Sequence, residues 1–529
     1  MRAALLTAFA PRTLRRAGKV TAAQAVAALD RILSHVRARP SSPGSMNARA
    51  LGRAARTVVA GYLQHRNKQS AITERLRELR TKHAWRGAKP LQPEHNVLAT
   101  LLVAIDLHVA RTAKPTELRC HPAAKRFPGA VAPKAKRVRA HVSVDVAVPR
   151  WHSTGLYAAP GEPVEVAVPE LPAGVQLEIR VGCHTDSVLR RPRWKRYPSI
   201  SRRFAIAPGA TEFVGNAFGG LIYVVVRHPS DEHAIRSVTI RGAVRAPHFV
   251  LGKTSLADWR KKIRHAPAPF GELECDAIVL SLPSQTLGKL DDPASVLRYW
   301  TKVVRVQDDL ACFERRSPER FVFDVQISNG YMHSGYPLMG PVSAAPHSTD
   351  LATLREKGNW GMFHEIGHNH QTAHYGRYAN PWTFDGTIEV TVNIFASYTY
   401  VAALHRAANM GHQHWRHDEL AKNLTKAWTS QPFAKRSDLE KCLFWVQLAS
   451  ELGWPGMRRL FCMYAKLPPE KRPRDNLAKR SLLLQMLAKH THKNFAAFFA
   501  AWGLEVTDAA RANVAKLATF QPSIPLPPH

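Results

Sequence analysis

The 529 residues predict a multidomain α+β protein: a helical N-terminal region over 1–140, an antiparallel β-sandwich over 141–248, and a mixed, then mostly helical, unit over 249–529. Three observations predict it. Apolar residues recur at helical spacing between 20 and 112, alternation of period two takes over at Val142, and after residue 348 the helical pattern returns with few breakers. A chain of this length exceeds what one hydrophobic core sustains. Its 45% of hydrophobic residues is ordinary for a globular protein.

In the first block, helices are expected near 21–37, 46–65, 68–84 and 93–111. The stretch 113–140, rich in Pro, Ala, Lys and Arg, is expected to be a linker. Val142, Val144, Val146 and Val148 then alternate, as do Val164, Val166 and Val168, and Val175, Leu177, Ile179 and Val181. Pro-Gly, Ala-Gly and Gly-Gly turns separate these runs, the pattern of paired antiparallel strands. From residue 250 a strand is expected near 276–282, a helix opened by Asp292-Pro293, and a strand near 321–327.

Chemistry concentrates at His364-Glu365-Ile366-Gly367-His368, followed after twenty intervening residues by Glu389. On a helix, positions i and i+4 share a face, so His364 and His368 can aim two imidazoles at one ion. Glu365, about a quarter turn away, misses that ion but reaches a water beside it, where it can act as general base. Glu389 opens a long apolar segment read as a buried helix, on which an ionised carboxylate is costly without a cation. A salt bridge to Arg or Lys is the competing account of that acid. Asn393, one turn on, is placed to orient the carboxylate. Two imidazoles, one carboxylate and an open position fit one catalytic zinc ion per chain.

Gly367, inside this helix, predicts close approach by another backbone. Strands followed by an active-site helix suit a zincin-type catalytic domain, in which an upstream edge strand lines the cleft. Tyr331, His333 and Tyr336, just after the 321–327 strand, are the expected cleft wall. An oxyanion donor is expected among Tyr398, Tyr400, His405, His412, His414 and His417, with no single choice favoured. His370 and His374 are expected to support the site rather than to ligate.

Gly-Tyr-Met-His-Ser-Gly-Tyr-Pro at 330–337, Trp-Gly-Met-Phe-His-Glu-Ile-Gly-His-Asn-His-Gln at 360–371 and Phe-Asp-Gly-Thr-Ile-Glu-Val-Thr-Val-Asn-Ile-Phe at 384–395 carry a family likeness. They resemble the enhancin-like zinc metallopeptidases, which include viral enhancins and bacterial mucin-degrading proteases. Thr-Gly-Leu-Tyr-Ala-Ala-Pro-Gly-Glu at 154–162, Gly-Cys-His-Thr-Asp at 182–186 and Phe-Gly-Gly-Leu-Ile-Tyr at 218–223 resemble the β domain that precedes the catalytic part in that family. The resemblance spans about residues 150–520. It implies His364, His368 and Glu389 as zinc ligands, Glu365 as base, and hydrolysis of glycoproteins, mucin-like O-glycosylated chains foremost. Ile388 departs from it, standing where a small residue is expected before the third ligand. A glycan- or polyanion-binding protein on an inactive peptidase scaffold is the alternative.

The net charge is +35, and the first 150 residues hold 29 Lys and Arg against 7 Asp and Glu. Such a field favours polyanions, among them sialylated or sulfated glycans. No base-reading motif accompanies it, so nucleic acid is not favoured. The six cysteines, at 120, 183, 275, 312, 442 and 462, show no Cys-x-x-Cys spacing and neither demand nor exclude an oxidising compartment. Residues 3–10 make a poor signal peptide, so a secreted or cell-envelope location follows from the resemblance alone. The longest apolar run, Val97 to Ile105, is too short to span a bilayer, and no transmembrane anchor is expected.

Overall fold

The computed structural model describes residues 18–38, 46–375, 380–407, 420–427 and 431–524. The poor signal peptide and three candidate oxyanion donors, His412, His414 and His417, lie outside the described residues.

Four helices form where the apolar spacing places them: α1 (Ala22–Arg37), α2 (Ala48–His65), α3 (Ala71–His83) and α4 (Val97–Thr112). Thr21 caps α1 in a reciprocal box with Gln24. Ala25, Ala28, Leu29 and Ile32 form its buried stripe. At Gly61 of α2 a Cβ would fall 2.4 Å from the Ala25 side chain, so glycine lets these two helices close. The expected linker is not free chain. Leu118, Ala123, Ala124 and Phe127 are buried in the same core as the helices, and His121 stacks against Tyr197 and Phe218. Its prolines and cations sit between buried apolar residues, which composition alone does not reveal.

Strands β1 (Arg137–Asp145), β2 (Arg150–Ala158), β3 (Val164–Ala167), β4 (Gln176–Val181), β5 (Arg202–Ala205), β6 (Thr211–Val214), β7 (Gly220–His228) and β8 (Ile235–Arg245) are all antiparallel. They form one hydrogen-bonded sheet, ordered β5-β4-β7-β2-β8-β3-β6, with β1 paired to β8. Strand β8 takes β2 near its end and β3 at its middle. Val144, Val166, Ile179, Val224 and Ile240 meet in one core between strands. Tyr157, Tyr223 and Val225 point instead into the core shared with α1–α4, which is why β7 reads as unbroken apolar sequence.

A second sheet runs β13-β12-β11-β10-β9, comprising β9 (His248–Val250), β10 (Phe270–Glu274), β11 (Ile278–Pro283), β12 (Glu319–Asp324) and β13 (Leu338–Pro341). Strand β12 ends at Asp324 and is interior. The edge is β13, four residues too few to show alternation in sequence. A short helix, α5 (Leu256–Lys261), follows β9, and α6 (Pro293–Ala311) is capped by Asp292 as expected. Arg196 from the first sheet's region grips Asp324 at 2.7 Å with both side chains buried, and Arg320 pairs with the buried Glu272. After α7 (Leu351–Lys357) come α8 (Trp360–Ala373), α9 (Ile388–Ala402), α10 (Leu420–Ala427), α11 (Asp438–Ala465) and α12 (Asn476–Thr491). A disulfide joins Cys312, at the end of α6, to Cys462 in α11. Among the described residues, no helix is long and apolar enough to cross a membrane.

Candidate metal centre

Helix α8 starts at Asn359, whose side chain accepts from Met362 N, and buries Met362, Phe363 and Ile366. That packing turns His364 and His368 toward the start of α9. The two helices close tightly at Gly367, where a Cβ would lie 3.0–3.1 Å from Val392 and Phe395. The backbone approach expected from that glycine is therefore present. His364, His368 and Glu389 converge, each offering one ligand atom, with all three atoms within 4.8 Å of one another. The Glu389 carboxylate lies 3.2 Å from His364 Nε2 and 3.3 Å from His368 Nε2.

Burial does not explain Glu389. Its side chain is 66% exposed although the helix behind it is buried. The acid occupies the first turn of α9, where the helix dipole favours negative charge. Hydrogen bonds from His364 and His368 hold its carboxyl far below the usual carboxylate range. His368 is raised in turn: burial alone would lower it, but the bond and charge of Glu389 outweigh that. Glu365 is buried, and burial raises it above the ordinary carboxylate value while the charges of His364 and His368 pull it back. A carboxyl so poised suits a general base.

The remaining ring nitrogens decide what the site can hold. His364 Nδ1 donates to Asn393 Oδ1 at 2.9 Å, and His368 Nδ1 donates to Gln371 Oε1 at 2.6 Å. Each bond leaves Nε2 facing Glu389, donating to the carboxylate when the ring is protonated and offering a lone pair to an ion when it is neutral. Asn393 thus steers His364, with its amide on the Glu389 carbonyl rather than the expected carboxylate. Gln371 was not expected at all. Its amide also donates to Ile388 O and Thr391 Oγ1, tying α8 to the start of α9. Its position three residues after His368 is the only sequence signal it leaves. Ile388 points outward, half exposed, so its bulk does not crowd the third ligand. Two imidazoles and a carboxylate, with the back of each ring hydrogen-bonded, fit zinc.

Family models match along most of this architecture. Residues 242–503 match the peptidase M60 family, described as enhancin and enhancin-like, and residues 133–241 match the N-terminal domain of M60-like peptidases. The chain belongs to the M60 peptidase family. It is 33% identical over 380 residues to TRPM8 channel-associated factor 3 of Mus musculus, and 34% identical over 376 residues to TRPM8 channel-associated factor 2 of Homo sapiens. Each alignment covers 70% of this chain and 40% of the relative, so the chain spans well under half the length of these proteins. Its fold is similar to that of IMPa from Pseudomonas aeruginosa, solved with an O-glycopeptide, at TM-score 0.58 and 15% identity over 95% of this chain and 62% of that one. The catalytic module of ZmpA from Clostridium perfringens gives TM-score 0.54 at 14% identity, over 71% of this chain and 75% of that one. At such identities these likenesses carry the fold alone.

Around the M60 site, a cavity of about 330 Å³ is lined by Trp360, His364, Glu389, Val390, Asn393 and, from α11, Asp438, Leu439 and Cys442. The 330–337 loop lies on the other side of α8. Asn369 binds both the N–H and the carbonyl of Gly335. His333 Nε2 donates to Asp186 Oδ2 at 2.8 Å, and its charge reaches Glu365. Tyr331 is 68% exposed. Tyr336 turns away, against Arg150 and Trp151, so it packs rather than facing the ligands. Among the described oxyanion candidates, Tyr400 donates to Lys357 O, Tyr398 lies tilted against Trp454 and His405 meets Lys302. His370 is buried on Asp308 and Ile366 O, and His374 meets Ala311 O, both in supporting places.

Proposed function

We propose that the chain is a zinc-dependent endopeptidase that hydrolyses peptide bonds in glycoproteins, O-glycosylated mucin-like chains above all. The convergence of His364, His368 and Glu389 beside a buried Glu365 carries this reading. His364, His368 and Glu389 would hold the ion, whose bound form supplies Lewis acidity that lowers the pKa of a water and polarises a carbonyl. Glu365 takes the proton from the attacking water. The C–N bond then breaks as Glu365 passes that proton to the leaving amine. Asn393 and Gln371 keep the imidazoles in one orientation throughout, and Tyr331 and His333 form the wall along which substrate lies. The reading treats residues 249–529 as a zincin-type catalytic domain. It takes the β region of 141–248 as a sandwich and, with the basic helices of 1–140, as an accessory.

The glycoprotein class is supported by the family and by the O-glycopeptide in the IMPa structure. The test compares the wild type with Glu365→Ala on a mucin and on its deglycosylated form. Rapid cleavage of the intact mucin by wild type alone is expected. Equal cleavage by both proteins removes the base, and cleavage of only the bare chain removes the substrate class.

One observation favours a second reading, a glycan- or polyanion-binding protein on an inactive peptidase scaffold: the relatives of about a third identity are named for association with a channel. Under it, ligand binding survives removal of the metal and no peptide bond is cut.

A further inference from the structure

Far along the chain from the metal ligands, the residues before β1, the bend of β2 at Gly155, the end of β8 and the loops around α5 enclose a cavity of about 760 Å³. Lys136, Arg245, Lys253 and Lys262 line it. Asp258 is the one acid among its lining residues, and Ser255 Oγ already engages that carboxylate at 2.6 Å. None of the four cations has an ion-pair partner among the described residues. Nearby arginines behave otherwise: Arg264 is paired with Asp291 at 2.6 Å and Arg305 with Asp276 at 2.7 Å.

The floor is formed where the bend of β2 meets His248. Gly155 has φ +67°, and a Cβ there would come within 2.9 Å of His248 Nδ1. Glycine therefore lets the His248 imidazole pack against the bend of β2. His248 Nε2 is bound to Glu274 at 2.7 Å, and this bond raises the imidazole against the opposing effect of burial. Four like charges facing one concavity repel each other and focus their field into it, which favours an oligoanion there. The volume encloses a ligand of several rings and is far larger than one sulfate or phosphate requires. Val138, Ile263 and Pro267 line the same cavity and offer apolar surface to the faces of sugar rings.

We propose that this cavity binds an anionic oligosaccharide bearing two or three sulfate or sialic carboxylate groups. The choice of sugar over other oligoanions rests on the glycoprotein reading above; the anion site itself does not.

The test titrates the full chain carrying Glu365→Ala, which prevents turnover, with a heparin-derived sulfated tetrasaccharide, its desulfated counterpart, a disialylated oligosaccharide and tripolyphosphate. One sulfated or sialylated oligosaccharide should bind per chain, and the desulfated one should not. Adding Lys253→Ser with Lys262→Ser should weaken binding about tenfold or more, the equivalent of one modest charge contact. Arg49→Ser with Arg53→Ser, on the exposed face of α2, should change nothing. Absence of binding, an unaffected pocket variant, or loss confined to the α2 variant overturns the site. Tighter binding of tripolyphosphate than of either oligosaccharide overturns the sugar. Failure of the peptidase reading shows itself only in the mucin comparison, because this readout needs no catalysis.

Discussion

On the helix side of the metal centre, the imidazoles of His364 and His368 are steered by the neutral amides of Asn393 and Gln371; on the loop side, His333 is held by the carboxylate of Asp186. Both arrangements orient a histidine through its ring nitrogens. They differ in what pH does to them. Amides do not titrate, so the two ligand rings keep one tautomer wherever the rings are neutral. The pair from Asp186 to His333 depends on charge at both ends, and it links the β region to the 330–337 loop, whose His333 charge reaches Glu365. The reactive side is thus fixed from behind by uncharged bonds within two packed helices, with the charge of Glu389 in front of both rings. The loop side is fixed by a salt bridge reaching from another part of the fold.

The largest expected effect separates these sides outright. His368→Ala should drop bound zinc from one per chain to a small fraction and remove cleavage with it, as elemental analysis of purified protein will read. Asp186→Asn should keep zinc at one per chain. Loss of metal from both variants would break the distinction, because the loop side would then be part of the ligand scaffold.

Next comes the amide that joins the helices. Gln371→Ala removes the acceptor behind His368 and also the donor to Ile388 O, so zinc affinity should fall by about 10–100-fold. Competition with a chelator measures it. Asn393→Ala, which frees His364 alone, should fall toward the lower end of that range. Equal affinity of Gln371→Ala and the wild type would place the orientation of His368 elsewhere.

A smaller effect tests the packing beneath. Gly367→Ala gains helix propensity of about 1 kcal/mol. It also places a methyl group 3.1 Å from Val392 O and Phe395 Cβ, which move only if α9 moves. Overpacking of this kind costs about 1–3 kcal/mol, so a net loss of about 1 kcal/mol in urea unfolding is expected. A gain in stability would show that α9 is free to shift and that the helix side is looser than its hydrogen bonds imply.

The helix side was also the more legible one. Period 3.6 and the i, i+4 spacing place His364, His368 and Gly367 on one face without any tertiary information, and Asp292-Pro293 marks the start of α6. What escaped depends on partners distant in sequence. Glu389 is exposed because it sits in the first turn of a helix whose other turns are buried, a distinction hidden by the unbroken apolar run that follows it. Gln371 matters through Ile388 and Thr391, seventeen and twenty residues away. Asp186 reaches His333 across 147 positions. Strand β13 is too short for a period, and the burial of Phe127 needs the sheet it packs on. Cys312 and Cys462 carry no spacing that predicts their bond, since it closes 150 residues.

The smallest expected effect is the pH response of the loop side. His333 is raised above its ordinary value: burial opposes its charge, but the bond to Asp186 outweighs it. Asp186 is lowered: burial opposes its charge too, and the bond from His333 outweighs that. A raised histidine contributes stability that is complete below its unfolded pKa, near 6.5, and that is lost as pH rises through the folded pKa. A lowered aspartate contributes stability present above its unfolded pKa, near 3.9, and lost as pH falls through the folded one. The pair is therefore at full strength between about pH 4 and 6.5 and fades on the alkaline side first. Both side chains are largely shielded, at 24% and 9% exposure, so the contribution is about 1 kcal/mol. Thermal unfolding of the wild type should show a drop between pH 6 and 9 that is smaller in Asp186→Asn, where the raised His248 and His368 still titrate, with the two proteins converging at the alkaline end. If Asp186→Asn keeps the full alkaline loss, the titrating group is not His333, and the loop side is not held by charge.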